Sequence, residues 1–257
     1  MDMPRNHFTH AIAEGEKQIG IWISLASNFA AEVIAPAGYD WALVDMEHSP
    51  NDYFCTLGQL QAFAASDTTA IVRVEWNDPV AVKRLLDLGA PGLLFPMIQN
   101  VEEAERAVAA TRYPPRGIRG VAGSSRATKF GRIKDYTTKV EEETTVLLQV
   151  ETRSAVEQAE AIAEVDGVHG IFFGPGDIAA DLGYLGNPMH PEVWELIMPA
   201  AEKLIAKGMP VGTLVMDPAF AADLLNKGFS FVACGTDTGL LAKATDALLA
   251  NVKGAMR

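Results

Sequence analysis

Two periods alternate along the chain. Short runs of mostly apolar, often β-branched residues recur at 19–25, 41–47, 70–75, 92–98, 144–151, 170–173, 211–216 and 229–234. Most are continuous apolar stretches, the pattern of parallel strands covered on both faces. Each is followed by a segment with helical period: 28–37, 53–65, 79–88, 101–111, a broken stretch and then 154–165, 191–207, 218–226 and 239–252. Asp78-Pro79, His190-Pro191 and Asp217-Pro218 mark helix starts, and Gly38, Gly89, Gly208 and Gly228 follow helix ends. Eight strand–helix units in 257 residues predict an α/β fold of the TIM (β/α)8 barrel type rather than a doubly wound sheet. The segment 113–143 is a long insertion between the fourth of these helices and the fifth strand. No break in composition divides the chain, so residues 1–257 are expected to form one barrel domain.

Composition narrows the chemistry. Hydrophobic residues make up 49% and charged residues 21%, which predicts an ordered globule with a large core. Against 21 basic residues stand 33 acidic ones, a net charge of −12, so nucleic acid and anionic membrane surfaces are not expected partners. No run approaches 18 apolar residues, and the first 16 residues lack the apolar centre of a signal peptide. Cys55 and Cys234 form neither a disulfide framework nor a metal-finger spacing, which fits a reducing, cytoplasmic setting.

A (β/α)8 barrel carries its chemistry at the C-terminal ends of its strands. The polar residues there are Asp45, Glu47, His48, Arg73, Glu75, Gln99, Gln149, Glu151, Asp177, Thr213, Thr236 and Asp237. Of five histidines only His48 falls at such an end; it is a candidate base or a loop residue. Gln149 and Glu151 are two apart and face the same side of one strand. Glu151 and Asp177 lie on neighbouring units, close enough to share a divalent cation with positions open to water and substrate, a donor set suited to Mg²⁺ or Mn²⁺. The alternative is an arginine partner for Glu151 and a capping role for Asp177. Arg73 interrupts the apolar run Ala-Ile-Val-Arg-Val, so it faces a polar cavity or an ion pair with Glu47 or Glu75. The glycines of 174–179 match a dinucleotide pattern formally, but Glu192 and Glu195, at the spacing of the ribose-binding acid, lie in a helix. No lysine sits at a catalytic end, which disfavours a Schiff base.

Several motifs carry a family resemblance. Leu43-Val44-Asp45-Met46-Glu47-His48-Ser49, Val72-Arg73-Val74, Leu93-Leu94-Phe95-Pro96-Met97-Ile98-Gln99-Asn100, Arg116-Gly117-Ile118-Arg119-Gly120-Val121, Gln149-Val150-Glu151, Gly174-Pro175-Gly176-Asp177 and Gly183-Tyr184-Leu185-Gly186-Asn187 stand in an order and spacing that resembles the class II pyruvate aldolases of the 4-hydroxy-2-oxoheptanedioate and 2-keto-3-deoxy sugar acid type. The resemblance implies reversible aldol cleavage of 4-hydroxy-2-oxo acids to pyruvate and an aldehyde through a metal-stabilised pyruvate enolate. It implies that Glu151 and Asp177 hold Mg²⁺, Mn²⁺ or Co²⁺, and that His48 is the base, acting through a metal-bound water. It implies that Arg73 stabilises the enolate oxygen and that Gln149, Gly176 and the Asp177 backbone contact pyruvate. Asp87 would raise the basicity of the histidine; lying late in its helix, at the opposite end of the barrel, it could do so only across a subunit contact. That implies a homo-oligomer, typically a hexamer with exchanged C-terminal helices. Relatives often carry Ala or Ser where this chain has Gly176, and the stretch 122–127 is shorter than in some, which leaves the aldehyde open. An acyl-CoA lyase of the malyl- or citramalyl-CoA type is the alternative enzyme on such a barrel, and a catalytically silent scaffold the alternative outside enzymes.

Overall fold

The computed structural model describes residues 1–256. Eight parallel strands close into a barrel in which each pairs with the next and the last with the first. They are β1 (Gln18–Ile23), β2 (Trp41–Asp45), β3 (Thr69–Arg73), β4 (Gly92–Phe95), β5 (Thr145–Val150), β6 (Gly170–Phe173), β7 (Val211–Leu214) and β8 (Phe231–Thr236). Every expected strand is present, most ending a residue or more earlier than the apolar runs do. Residues just beyond the ends, such as Glu47 and Glu151, leave the ladder and line the barrel mouth.

The helices are α1 (His7–Ala13), α2 (Asn28–Ile34), α3 (Tyr53–Phe63), α4 (Pro79–Asp87), α5 (Val101–Thr111), α6 (Tyr136–Lys139), α7 (Arg153–Glu157), α8 (Ala159–Ala163), α9 (Pro175–Asp181), α10 (Pro191–Ala206), α11 (Pro218–Asn226) and α12 (Asp237–Ala255). Side-chain caps fix many starts: Ser27, Asp52, Asp78, Asn100, Thr152, Asp217 and Thr236 each accept from a backbone N–H of the first turn. The expected insertion lies between α5 and β5 and contains α6 and a 3₁₀ turn at Val140–Glu143. The helix expected over 154–165 is two short helices, broken at Gln158.

Two helices add to the eightfold pattern. α1 closes the N-terminal end of the barrel. Asn6 caps it, accepting from Thr9 N at 3.3 Å, and its Phe8 and Ile12, one helical turn apart, are fully buried in the barrel's interior. Phe8 packs on Trp41 and Phe231 with ring centroids 5.5 and 5.7 Å away, and Trp22, Leu43, Ile71, Leu94, Leu147 and Phe172 fill the interior above. Gly20 makes this possible: a Cβ there would stand 2.2 Å from the Trp41 ring. α9 follows β6 directly and carries Asp177 in its first turn.

α12 does not cover the barrel of its own chain. An eighth helix should cover the barrel, yet from Leu240 onward every described residue is exposed, including Leu241, Leu248, Leu249 and Val252. Only its start is tied down, through buried Asp237, which accepts from Ser24 N at 2.9 Å and Leu25 N at 3.0 Å.

Candidate active site

The polar groups at the C-terminal end of the barrel are organised around Arg73. Asp45 and Arg73 are in register on neighbouring strands, and the guanidinium is buried. Its Nε and Nη2 donate to Asp45 Oδ1 and Oδ2, both at 2.8 Å, and its Nη1 lies 2.7 Å from Glu47 Oε2. It also sits 4.9 Å from the centroid of the Trp22 ring. Asp45 does more than neutralise it. The same carboxylate accepts from Trp22 Nε1 at 3.2 Å, from Glu47 N at 3.0 Å and from His48 N at 3.4 Å. Its carbonyl accepts from Ser49 Oγ and, at 2.6 Å, from Asn51 Nδ2. One buried aspartate therefore sets both the arginine plane and the turn that carries Glu47 and His48. Glu75, the other acid offered for Arg73 by the sequence, points to solvent.

His48 stands at the mouth, its side chain 66% exposed, with Nε2 3.8 Å from Glu47 Oε1. Across the mouth, Gln149 and Glu151 do face the same side: Gln149 Nε2 donates to Glu151 Oε2 at 2.5 Å. The other oxygen of Glu151 accepts from Met97 N at 2.7 Å. Met97 holds that amide in place from a left-handed backbone, φ 55°, which costs a non-glycine residue ~1–2 kcal/mol. A Cβ on Gly174 would lie 2.6 Å from Glu151 Oε2, so the chain must be bare there for the carboxylate to take its place. Gly176 and Asp177 are exposed at the start of α9.

Four carboxylates face one arginine. Burial alone would raise the Asp45 carboxyl, but the Arg73 hydrogen bonds and charge bring it below the usual carboxylate range. Arg73 is raised in turn, burial being outweighed by Asp45 and Glu47. Glu47 is raised: burial is the main cause, Arg73 and His48 oppose it, and Asp45 and Asp177 add to it. Glu151 is pushed from 4.5 to about 7, chiefly by burial, against its bonds from Gln149 and Met97 and with the charges of Asp177 and Glu47 behind it. No ion pair engages Glu151 or Asp177 among the described residues; the arginine pairs stop at Asp45 and Glu47. Gln149 Oε1 is buried with no hydrogen-bond partner.

These features fit a divalent cation. A buried carboxylate without a basic partner, an exposed second one within its field, and an orphaned amide oxygen beside them are donors that a hard cation and its substrate oxygens would satisfy. Among the described residues no three His, Cys, Asp or Glu side chains form a closed cage. Glu151 and Asp177 are the carboxylates at the mouth left without a basic partner among the described residues.

Other candidates take structural places. Gln99 Oε1 accepts from Thr152 Oγ1 at 2.7 Å, Thr213 Oγ1 donates to Phe173 O at 3.0 Å, and Asp237 ties β8 to the loop after β1. Asp87 is not brought to His48 within the chain. It ends α4, at the other end of the barrel, and accepts from the fully buried Arg119 Nη2 at 2.9 Å. A cavity of about 360 Å³ lined by Arg5, Arg126, Tyr136 and Glu143 also opens at that other end and contains none of the site residues.

The chain is similar to known proteins over nearly all its length. The family pattern described as HpcH/HpaI aldolase/citrate lyase matches residues 18–244. A pyruvate aldolase from Rhizobium etli is 50% identical, over 97% of this chain and 98% of its own. A 4-hydroxy-2-oxo-heptane-1,7-dioate aldolase from Salmonella dublin is 48% identical, over 96% of this chain and 94% of its own. Among solved structures, an HpcH/HpaI aldolase/citrate lyase family protein from Burkholderia cenocepacia superposes with a TM-score of 0.93 at 38% identity, covering 96% of this chain and 99% of that one.

Proposed function

The chain belongs to the HpcH/HpaI aldolase/citrate lyase family, and from that membership we propose that it catalyses the reversible aldol cleavage of 4-hydroxy-2-oxo acids to pyruvate and an aldehyde. The observation that carries this reading is Glu151: a buried carboxylate, raised to about 7, unpaired with any base and set beside Gln149 at the barrel mouth opposite Arg73. Glu151 and Asp177 would hold a divalent cation, Mg²⁺, Mn²⁺ or Co²⁺. When bound there, the cation would draw electron density from the keto and carboxylate oxygens of pyruvate.

The chain's own groups do the rest. Gln149, Gly176 and the Asp177 backbone hold pyruvate. Bound there, pyruvate presents its methyl to His48, which removes a C3 proton. The electron pair passes into the C2–C3 bond, and negative charge grows on the keto oxygen. Arg73 meets that charge with the N–H groups that Asp45 and Glu47 leave free; its fixed position means little reorganisation is needed at the moment of reaction. The C2–C3 electron pair then bonds to the aldehyde carbon, the aldehyde C=O pair passes to its oxygen, that oxygen takes the proton back from His48, and cleavage is the reverse.

Copies of this chain assemble, as a hexamer in this reading. The apolar residues of α12 gain cover from a second copy, and Asp87 reaches the partner's His48 across the contact. Residues 1–257 act as one barrel domain, working in the cytoplasm. Among the described residues no helix is long and apolar enough to cross a membrane.

Charge pairing disfavours the acyl-CoA reading. That substrate calls for a free basic groove, and three arginines at and just beyond the end of α5 are already paired with acids. Arg112 and Arg116 share Glu141 and Asp166 at 2.7–3.0 Å, and Arg119 is taken by Asp87. The deciding assay follows pyruvate release from a 4-hydroxy-2-oxo acid before and after chelation. Release that stops with chelator and returns with Mg²⁺, Mn²⁺ or Co²⁺ supports the proposal. No release with any of the three defeats it.

A further inference from the structure

We propose that Glu47 is a positioning residue that acts through His48, presenting a fixed carboxylate to the charge His48 gains when it takes up a proton. The inference rests on the aldolase reading above, and its footing is the way Glu47 is held. Its backbone N–H donates to Asp45 Oδ1 at 3.0 Å, and its Oε2 lies 2.7 Å from Arg73 Nη1. Arg73 is itself immobilised by two 2.8 Å bonds to Asp45. Pinned at both ends, Glu47 turns its remaining oxygen to His48, 3.8 Å from Nε2. Its side chain is 13% exposed against 66% for His48, so the acid belongs to the wall and the imidazole to the mouth.

Charge balance alone does not explain this acid. Asp45 already neutralises Arg73 through two hydrogen bonds. A second carboxylate there carries a burial cost, to which Asp45 and Asp177 add repulsion, and Arg73 only partly offsets the sum. A positive charge that forms beside it during the reaction would repay that cost, and His48 is the titratable base within ion-pair reach. In the step concerned, the C3–H bond of pyruvate breaks, the proton forms an N–H bond on His48, and the electron pair enters the C2–C3 bond. A positive charge appears on the imidazole and a negative one on the keto oxygen. The Arg73–Glu47 pair stands with its anion toward the first and its cation toward the second.

Glu47→Gln, with Asp45 and Arg73 left intact, tests this. The readouts are deuterium exchange at pyruvate C3 by NMR, Mn²⁺ affinity by calorimetry, and the melting temperature. Exchange turnover should fall about tenfold while the pyruvate KM and the Mn²⁺ affinity stay within about threefold of wild type. In a His48→Ala background the same substitution should change exchange by less than about twofold, because the group it acts through is gone. Glu47→Asp keeps the carboxylate and should exchange at least about threefold faster than Glu47→Gln, which covers the case of a poorly folded Gln variant. The proposal is overturned by wild-type exchange in Glu47→Gln, by an undiminished effect in the His48→Ala background, by equal losses in the Asp and Gln variants, or by lost Mn²⁺ affinity. A wild-type enzyme that exchanges no pyruvate protons would instead remove the aldolase reading itself.

Discussion

Arg73 gives two of its N–H donors to Asp45 and sets Nη1 2.7 Å from Glu47 as an ion pair, and in the proposed reaction what remains meets the charge that develops. Arg73→Lys keeps a cation but not the planar fork, so it should fold and bind Mn²⁺ yet lose C3 exchange by about 10²–10³-fold, the scale of one lost oxyanion donor. Exchange within a few-fold of wild type would make Arg73 structural. Glu151 adds a pH dependence with a definite sign. Its folded pKa of about 7 lies above the ordinary 4.5, so the cation-free protein binds the extra proton on folding. The stability this contributes is complete below pH 4.5 and is lost as pH rises toward about 7. Glu151→Gln should therefore melt higher than wild type in chelator at pH 8, and should not respond to Mn²⁺. A lower melting temperature in chelator would contradict the burial argument. Much of this site was legible one residue at a time. Arg73 is an anomaly in an apolar run, and Gln149 with Glu151 follows from strand period alone. The reach of Asp45 was not, because its partners lie on β1, on β3 and in its own turn. Its register with Arg73, both strand-final polar residues on neighbouring strands, was the one usable signal. The strained Met97 amide that holds Glu151 left no mark in the sequence.

At the scale of elements, the closing helix α1 is the least expected part of the fold. Phe8 is buried against Trp41 and Phe231, so Phe8→Ala should lower unfolding free energy by about 3–5 kcal/mol in urea titration while the folded fraction keeps its activity. A loss under 1 kcal/mol would mean that α1 is not part of the core. The eight strands were readable because parallel strands between two packed layers must be apolar on both faces. α1 and α9 were not. Each is seven residues long, too short for a clear helical period, and α9 is started by Gly174-Pro175-Gly176, which reads as a turn. Gly176 is informative for the same region. A Cβ there would meet nothing within 4 Å, so packing does not demand glycine, and the bare position leaves room beside Asp177.

At the scale of the whole molecule, the barrel was legible from the count and spacing of its units, but an α12 turned away from its own barrel was implied only by the family resemblance. Its sequence has the apolar content of a covering helix, and nothing local tells whether the covered surface is its own barrel or another copy. With Leu241 and Leu248 exposed one heptad apart, Leu241→Glu together with Leu248→Glu should shift the sedimentation coefficient to that of a smaller species. An unchanged coefficient would place the contacts elsewhere. The net charge of −12 raises the same question for the substrate. An anionic keto acid approaches an acidic protein, and at the mouth four carboxylates face one arginine. A bound cation would reverse that field locally. The most direct test is therefore deuterium exchange at the C3 methyl of pyruvate, followed by NMR on the wild-type protein with no aldehyde present. Exchange is expected with Mg²⁺, none after chelation, and recovery when the cation is returned. Exchange that persists in chelator, or a borohydride-trapped pyruvate adduct on any lysine, would contradict the proposed mechanism.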